Sequence, residues 1–178
     1  MSKNNLTYEK SGVNIKAADK FVNFISSKLK YRNKSGNYKN IGGFGSLSIL
    51  PKKSQNSYLV ACTDGVGTKI EIANDIKKFH NLGIDLVAMS VNDLIVQGAK
   101  PLIFLDYIAI NKINVSKLKQ IITGIIKGCK ISGCELAGGE TAEMPGTYEK
   151  NKFDLAGFSV GIAKKSTVLK KKNIKKND

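Results

Sequence analysis

The sequence predicts an α+β fold, a two-layer domain in which a mixed β-sheet carries helices on one face. Three observations predict it. Strand-like apolar runs alternate with stretches of helical periodicity only in part. Two strand-like segments, Ser46–Leu50 and Tyr58–Cys62, follow one another as a hairpin would. The 178 residues suffice for one substantial core and show no internal repeat or long linker. A doubly wound sheet is the second choice.

In order, Ala18, Phe21, Val22, Ile25 and Leu29 recur at helical spacing, so an amphipathic helix is expected from Asn14, its N-cap, to about Lys30. Residues 32–40 are polar and read as a loop. Gly42, Gly43, Phe44 and Gly45 then precede the first strand, which Pro51 ends; such a glycine cluster is either a tight turn or a flap over a ligand. After the second strand, Ile70–Ile76 reads as a short helix. Gly83–Val96 is a longer one, with Ile84, Val87, Val91, Leu94 and Ile95 on one arc. Its opposite arc mixes Asp85, Asn92, Asp93 and Gln97 with Leu86, Met89 and Val96, a face unsuited to open water. Leu102–Ile110 is a long strand, and Val115, Leu118, Ile121, Ile122, Ile125, Ile126 and Cys129 mark a core helix that begins near Asn114 or Ser116 and ends by Gly133. Cys134–Ala137 is read as a short strand opening into an acidic glycine-rich loop, Gly138–Gly146, and Leu155–Ala163 as the last strand. The tail from Lys164 to Asp178 is lysine-rich and lacks an apolar face.

Hydrophobic content of 42% with 24% charge excludes a disordered chain. No run approaches the roughly 18 apolar residues of a membrane span, and the Lys/Asn-rich start has no signal-peptide core, so a cytoplasmic protein is expected, without a membrane partner. Cys62, Cys129 and Cys134 form no Cys-x-x-Cys pair and read as buried free thiols, and with His80 the only histidine a multi-histidine metal site is excluded. The net charge of +15 invites a nucleic-acid reading, but Arg32 is the only arginine, and bidentate recognition of bases and phosphates favours arginine. Nucleic acid is therefore not expected as a partner.

The placement of charge says more than its sum. Several windows hold acids and no base: 54–68 has Asp64, 79–99 has Asp85 and Asp93, 101–111 has Asp106, and 131–149 has Glu135, Glu140, Glu143 and Glu149. Each of these that is buried must be stabilised by a distant lysine, by protonation or by a bound cation.

The chain is organised around Thr63-Asp64-Gly65-Val66-Gly67-Thr68-Lys69, directly after an apolar strand. Glycines let the backbone turn and let a ligand approach the main chain, while Asp64 and Lys69 suit a metal ion and a phosphate respectively. The plain alternative is a solvated glycine turn. No Gly-x-x-x-x-Gly-Lys-Ser/Thr pattern is present, so this is not a P-loop.

Four segments taken together resemble the amino-terminal half of the phosphoribosylformylglycinamidine cyclo-ligases, also called aminoimidazole ribonucleotide synthetases. They are Gly42–Gly45, Thr63–Lys69, Gly83–Asp93 and Gly138–Gly146; Tyr8 with Gly12-Val13, and Phe104–Tyr107, are similar as well. The resemblance runs in order over nearly the whole chain. It implies an enzyme of purine biosynthesis that uses ATP and Mg²⁺ to close formylglycinamidine ribonucleotide into aminoimidazole ribonucleotide. Carried over, it implies Asp64, Asn92, Asp93 and Glu140 as Mg²⁺ ligands. Gly42, Gly43, Phe44, Gly45, Gly65, Val66, Gly67, Thr68 and Lys69 would lie along the nucleotide, and Lys69, Asp106 and Thr141 would act in catalysis or positioning. It also implies a homodimer with sheets packed across the interface. Residues 1–163 would be the ATP-binding and dimerisation domain and 164–178 the start of a linker to an absent second domain, which leaves the chain by itself expected to be inactive. Related ATP-using enzymes, including formylglycinamidine ribonucleotide synthetase, selenophosphate synthetase, thiamin-monophosphate kinase and a hydrogenase maturation factor, are alternatives, as is a non-catalytic dimerising or basic binding module.

Overall fold

Strand β2 (Ser57–Gly65) lies inside a five-stranded sheet. The other strands are β1 (Ser46–Ile49), β3 (Lys100–Ile110), β4 (Glu135–Glu143) and β5 (Phe153–Lys164), in the spatial order β1-β2-β5-β3-β4. The computed structural model describes residues 7, 16, 46–49, 56–170 and 173–176. The expected helix over 14–30, the loop over 32–40 and the Gly42–Gly45 cluster lie outside the described residues, apart from Lys16, which is helical. Antiparallel pairing joins β1 to β2, β2 to β5 and β5 to β3, while β3 and β4 are parallel. The sheet is mixed, as expected.

Three helices are described: α1 (Lys69–Ile76), α2 (His80–Ile95) and α3 (Val115–Ser132). They cover one face. Phe104, Ile108 and Ile110 of β3, with Phe153 and Leu155 of β5, form one core with Leu82, Leu86, Val87 and Val91 of α2 and Ile121 and Ile125 of α3. These are alternate strand positions and one stripe of each helix, the pattern that period-2 and period-3.6 burial dictate. Burying each such side chain contributes about 1.5–3 kcal/mol. Of the two starts the sequence allows, Asn114 is the cap of α3, its Oδ1 accepting from the Lys117 amide at 3.0 Å.

Helices α2 and α3 touch through glycine. A Cβ at Gly124 would overlap the His80 carbonyl oxygen, and one at Gly83 would lie 2.5 Å from the Ile125 nitrogen. The close approach lets α2 and α3 share one layer against the sheet.

The sheet face away from the helices carries the other parity. Leu59 of β2, Leu105 of β3 and Val160 of β5 are only half-buried there, and Phe158, opposite Thr63 and Leu105, is 43% exposed. Among the described residues nothing covers them.

Two sequence expectations need correction. The segment Gly138–Glu143 is strand and not loop, because β4 pairs with β3 continuously from Leu105↔Gly138 to Ile110↔Glu143 after an irregularity at Phe104/Leu105. The pairing satisfies backbone groups that a glycine-rich composition left open. The tail is also less detached than its lysines indicate, since Val168 packs on a small second core of Val60, Leu94, Ala99 and Ala163, and the Leu169 amide donates to the Gln97 carbonyl at 3.3 Å.

Candidate functional site

Strands β2, β3 and β4 all point the same way, so their carboxyl ends share one edge of the sheet. The register puts Asp64, Gly157, Asp106 and Gly139 in one row across β2, β5, β3 and β4. Side chains of a row share a face, so both aspartates project toward the helices. The sequence expectation ended the strand before Asp64; β2 runs on to Gly65, and Asp64 is a strand residue.

Asp64 is half-buried, and its Oδ1 accepts from the Gly65 amide at 2.8 Å. Asp93, near the end of α2 and also half-buried, lies close enough to feel its charge. Loss of hydration and then the Asp64 carboxylate push the Asp93 carboxyl above its ordinary value. Cys62, one strand turn before Asp64, is raised chiefly by burial, with both aspartates adding to the effect, and is therefore an inert thiol. Its Sγ contacts the Ser90 carbonyl at 3.0 Å and the Ser159 hydroxyl at 3.1 Å, which ties β2 and β5 to α2 just beneath the acid pair. Neither Asp64 nor Asp93 has a lysine within ion-pair distance among the described residues.

The acid windows thus resolve differently. Asp85 meets a distant lysine: Lys69 Nζ donates to its Oδ2 at 2.9 Å, in a half-exposed pair. Asp106, 7% exposed, leans toward protonation, since burial pushes its carboxyl up and the offsetting hydrogen bond is to its own amide. Glu143 accepts from the Ile113 amide at 2.7 Å. Asp64 and Asp93 are left with each other, and two adjacent carboxylates without a cation are what a hard divalent ion stabilises.

After β2 the chain turns into α1. Val66 is buried, its amide donating to the Leu155 carbonyl at 3.1 Å, while Gly67 and Thr68 are exposed and the Thr68 hydroxyl makes no capping bond. Gly65, Gly67 and Thr68 therefore present backbone and hydroxyl groups at the edge that holds Asp64. Asn92 is exposed beside Asp93. Thr141 is exposed on the Asp106 side of β4, opposite Ile108. Glu140 pairs with Tyr107 in the next row and so projects from the other face of the sheet. Asp64 and Asp93 come together, but Glu140 does not join them, and among the described residues no three His, Cys, Asp or Glu side chains are grouped to hold a metal. Gly42–Gly45 lies outside the described residues.

Residue-by-residue reading missed three participants. Gly139 sets the space around Asp106, Gly157 stands opposite Asp64 and leaves room for the Phe104 ring, and Ser90, wholly buried with its Oγ unpartnered, lies 2.9 Å from where a Cβ at Gly157 would be. Only register across the sheet reveals them.

These features define a class: an α+β domain that presents a glycine turn and an unpaired acid pair at the carboxyl edge of a mixed sheet. Residues 47–163 match the family described as AIR synthase related protein, N-terminal domain, and the chain belongs to that family. Among solved structures, it is similar to AaThiL complexed with AMPPCP and TMP, with a TM-score of 0.65 at 19% identity over 81% of this chain and 41% of that one. It is also similar to T. maritima PurL complexed with ATP, with a TM-score of 0.53 at 16% identity over 70% of this chain and 20% of that one. A third is the HypE-HypF complex, with a TM-score of 0.53 at 20% identity, 74% of this chain and 40% of that one. Identities this low show the shared fold, and the chain spans less than half the length of each. No described helix is long and apolar enough to cross a membrane.

Proposed function

We propose that the chain is the nucleotide-binding half of an ATP- and Mg²⁺-dependent cyclo-ligase that closes formylglycinamidine ribonucleotide to aminoimidazole ribonucleotide in purine biosynthesis. The observation that carries this is the convergence of Asp64 and Asp93, unpaired by any lysine among the described residues, beside the exposed Gly67-Thr68 turn. AaThiL, which binds AMPPCP, and T. maritima PurL, which binds ATP, share the fold and support a nucleotide here. In this reading residues 1–163 bind ATP and dimerise, and 164–178 begin a linker.

The chemistry is phosphoryl transfer to the formyl-derived amide oxygen, followed by attack of a substrate nitrogen on that carbon and loss of phosphate. Such a step needs charge neutralisation and alignment more than covalent help. Asp64 and Asp93 would hold the metal, with Asn92 a neutral oxygen donor; Mg²⁺ takes hard oxygen ligands and, when bound, would neutralise phosphate charge. Glu140 is the remaining carboxylate of the set, and its place on the other face makes it the member whose role a separate variant tests. The Gly67 amide and the Thr68 hydroxyl donate to phosphate oxygens, with Gly65, whose amide is held by Asp64, letting the backbone approach and Val66 anchoring the turn, and Gly42, Gly43, Phe44 and Gly45 belong to the sequence assigned to the triphosphate. Lys69 trades Asp85 for a phosphate oxygen, an exchange that costs little because an exposed ion pair is worth about 0–1 kcal/mol. Asp106, inclined to hold its proton, and Thr141 orient the substrate amide. The uncovered sheet face with Phe158 and Leu105 packs on a second copy.

Calorimetric titration with a non-hydrolysable ATP analogue, with and without Mg²⁺, on wild type, Asp64→Asn and Glu140→Gln tests the site. Mg²⁺-dependent binding lost in Asp64→Asn supports the reading; Mg²⁺-independent binding that all variants retain overturns it. Within the family, turnover of formylglycinamidine ribonucleotide against thiamin monophosphate by a two-domain homologue separates cyclo-ligase from kinase.

A further inference from the structure

Away from the acid pair a cavity of about 500 Å³ opens between the second half of α1, the start of α3 and the loop before β5. None of its lining residues belongs to the site described above. Four lysines, Lys77, Lys117, Lys150 and Lys152, face two carboxylates, Glu71 and Asp75, among amides that include Asn74 and Gln120.

Lys117 is the unusual member, at 9% exposure. A lysine in the first turn of a surface helix ordinarily reaches water with its ammonium. Here Nζ is drawn inward, donating to Asn74 Oδ1 at 3.1 Å and, at 3.4 Å, to the Asn151 carbonyl, and lying 4.8 and 4.4 Å from the ring centroids of Phe79 and Phe153. All of these partners are neutral. Among the described residues no carboxylate lies within ion-pair distance of Lys117, Lys77 or Lys150, while Lys152 is occupied by Glu71 at 2.5 Å. Burial also pushes the Lys117 ammonium below its ordinary value, which marks a charge short of compensation. An ammonium has three donors, and these two hydrogen bonds leave one over. The positive end of α3 adds to the same field.

We propose that this cavity is a second binding site, for a small metabolite carrying a phosphate monoester, with the phosphate against Lys117 and Lys150 and the remainder among Asn74, Gln120 and Asp75. Lysines acting as point charges, with no arginine fork, suit a phosphate dianion better than a carboxylate. The volume suits a small ligand. The site does not depend on the nucleotide reading, since it shares no residue with it.

The test is a titration of the full chain with inorganic phosphate, followed residue by residue in amide ¹H–¹⁵N NMR spectra, with acetate in a parallel arm. Saturable shifts at Ser116, Lys117, Asn151 and Lys152 are expected, unchanged in Asp64→Asn, at least tenfold weaker in Lys117→Met, several-fold weaker in Lys150→Ala, and weaker with acetate. Shifts that grow linearly and scatter over surface lysines overturn the proposal, as do shifts confined to Thr63–Lys69, acetate binding as tightly as phosphate, or equal phosphate affinity in Lys117→Met. If Lys117→Met does not fold, Lys150→Ala decides: its retention of wild-type affinity overturns the site.

Discussion

Gly139 on β4 stands directly opposite Asp106 on β3, and the missing side chain at 139 is what gives the Asp106 carboxyl its room. A Cβ there would come within 2.6 Å of Asp106 Cγ and 2.7 Å of its carbonyl oxygen. Gly139→Ala is expected to cost about 1–3 kcal/mol, the usual penalty for overpacking, measured by urea denaturation. Because part of the clash is with the carboxyl, the cost falls in an Asp106→Ala background, and strict additivity of the two changes would count against this account.

Asp106 is itself a stability liability. Its folded-state carboxyl is raised above the ordinary 3.8 by burial, so the folded state holds the proton more tightly than the unfolded chain. Stability therefore falls as pH rises from about 3.8 through the folded value, and the loss persists at neutrality. Asp106→Asn is expected to flatten that slope and to raise stability at pH 7 relative to wild type. Thermal melts of both proteins between pH 3.5 and 7 check it; parallel curves would refute it.

Helices α2 and α3 depend on Gly124. Its Cβ would overlap the His80 carbonyl, which is backbone and cannot swing aside. Gly124→Ala should destabilise by at least about 1–3 kcal/mol despite alanine's better helix propensity, because the crossing must widen. A midpoint of denaturation equal to wild type would mean that the helices separate at no cost.

The acid pair makes an opposite pair of forecasts for one variant. Asp64→Asn removes the charge that helps raise the Asp93 carboxyl, so without ligand the variant should be as stable as wild type or more so at pH 7. With Mg²⁺ and an ATP analogue it should lose the stabilisation that wild type gains, which thermal shift reads directly. Equal ligand-induced shifts in both proteins would remove Asp64 from the metal site.

The uncovered sheet face forecasts assembly. Phe158, 43% exposed in the middle of that face, is the place to charge it. Wild type is expected to scatter light as a dimer at micromolar concentration and Phe158→Glu as a monomer with unchanged circular dichroism. A monomeric wild type would refute the interface.

Most of the architecture was legible in the chain itself. The apolar stripes of α2 and α3, the Asn114 cap and the strand alternation report burial one residue at a time, and local periodicity records that directly. The windows of acids without bases identified the carboxylates that need a partner, since charge balance along the sequence is also local. Tertiary structure alone decided the surroundings of each: Lys69 beside Asp85, a burial that raises the Asp106 carboxyl, and, among the described residues, no lysine in ion-pair reach of Asp64 or Asp93. It also turned the expected Gly138–Gly146 loop into a strand as far as Glu143, set Glu140 on the face away from Asp64, and drew Lys117 inward between Phe79 and Phe153. Each of these rests on register and on contacts between residues tens of positions apart. Strand pairing and electrostatic partnership act through space, and a sequence read along its length carries only the local half of that information.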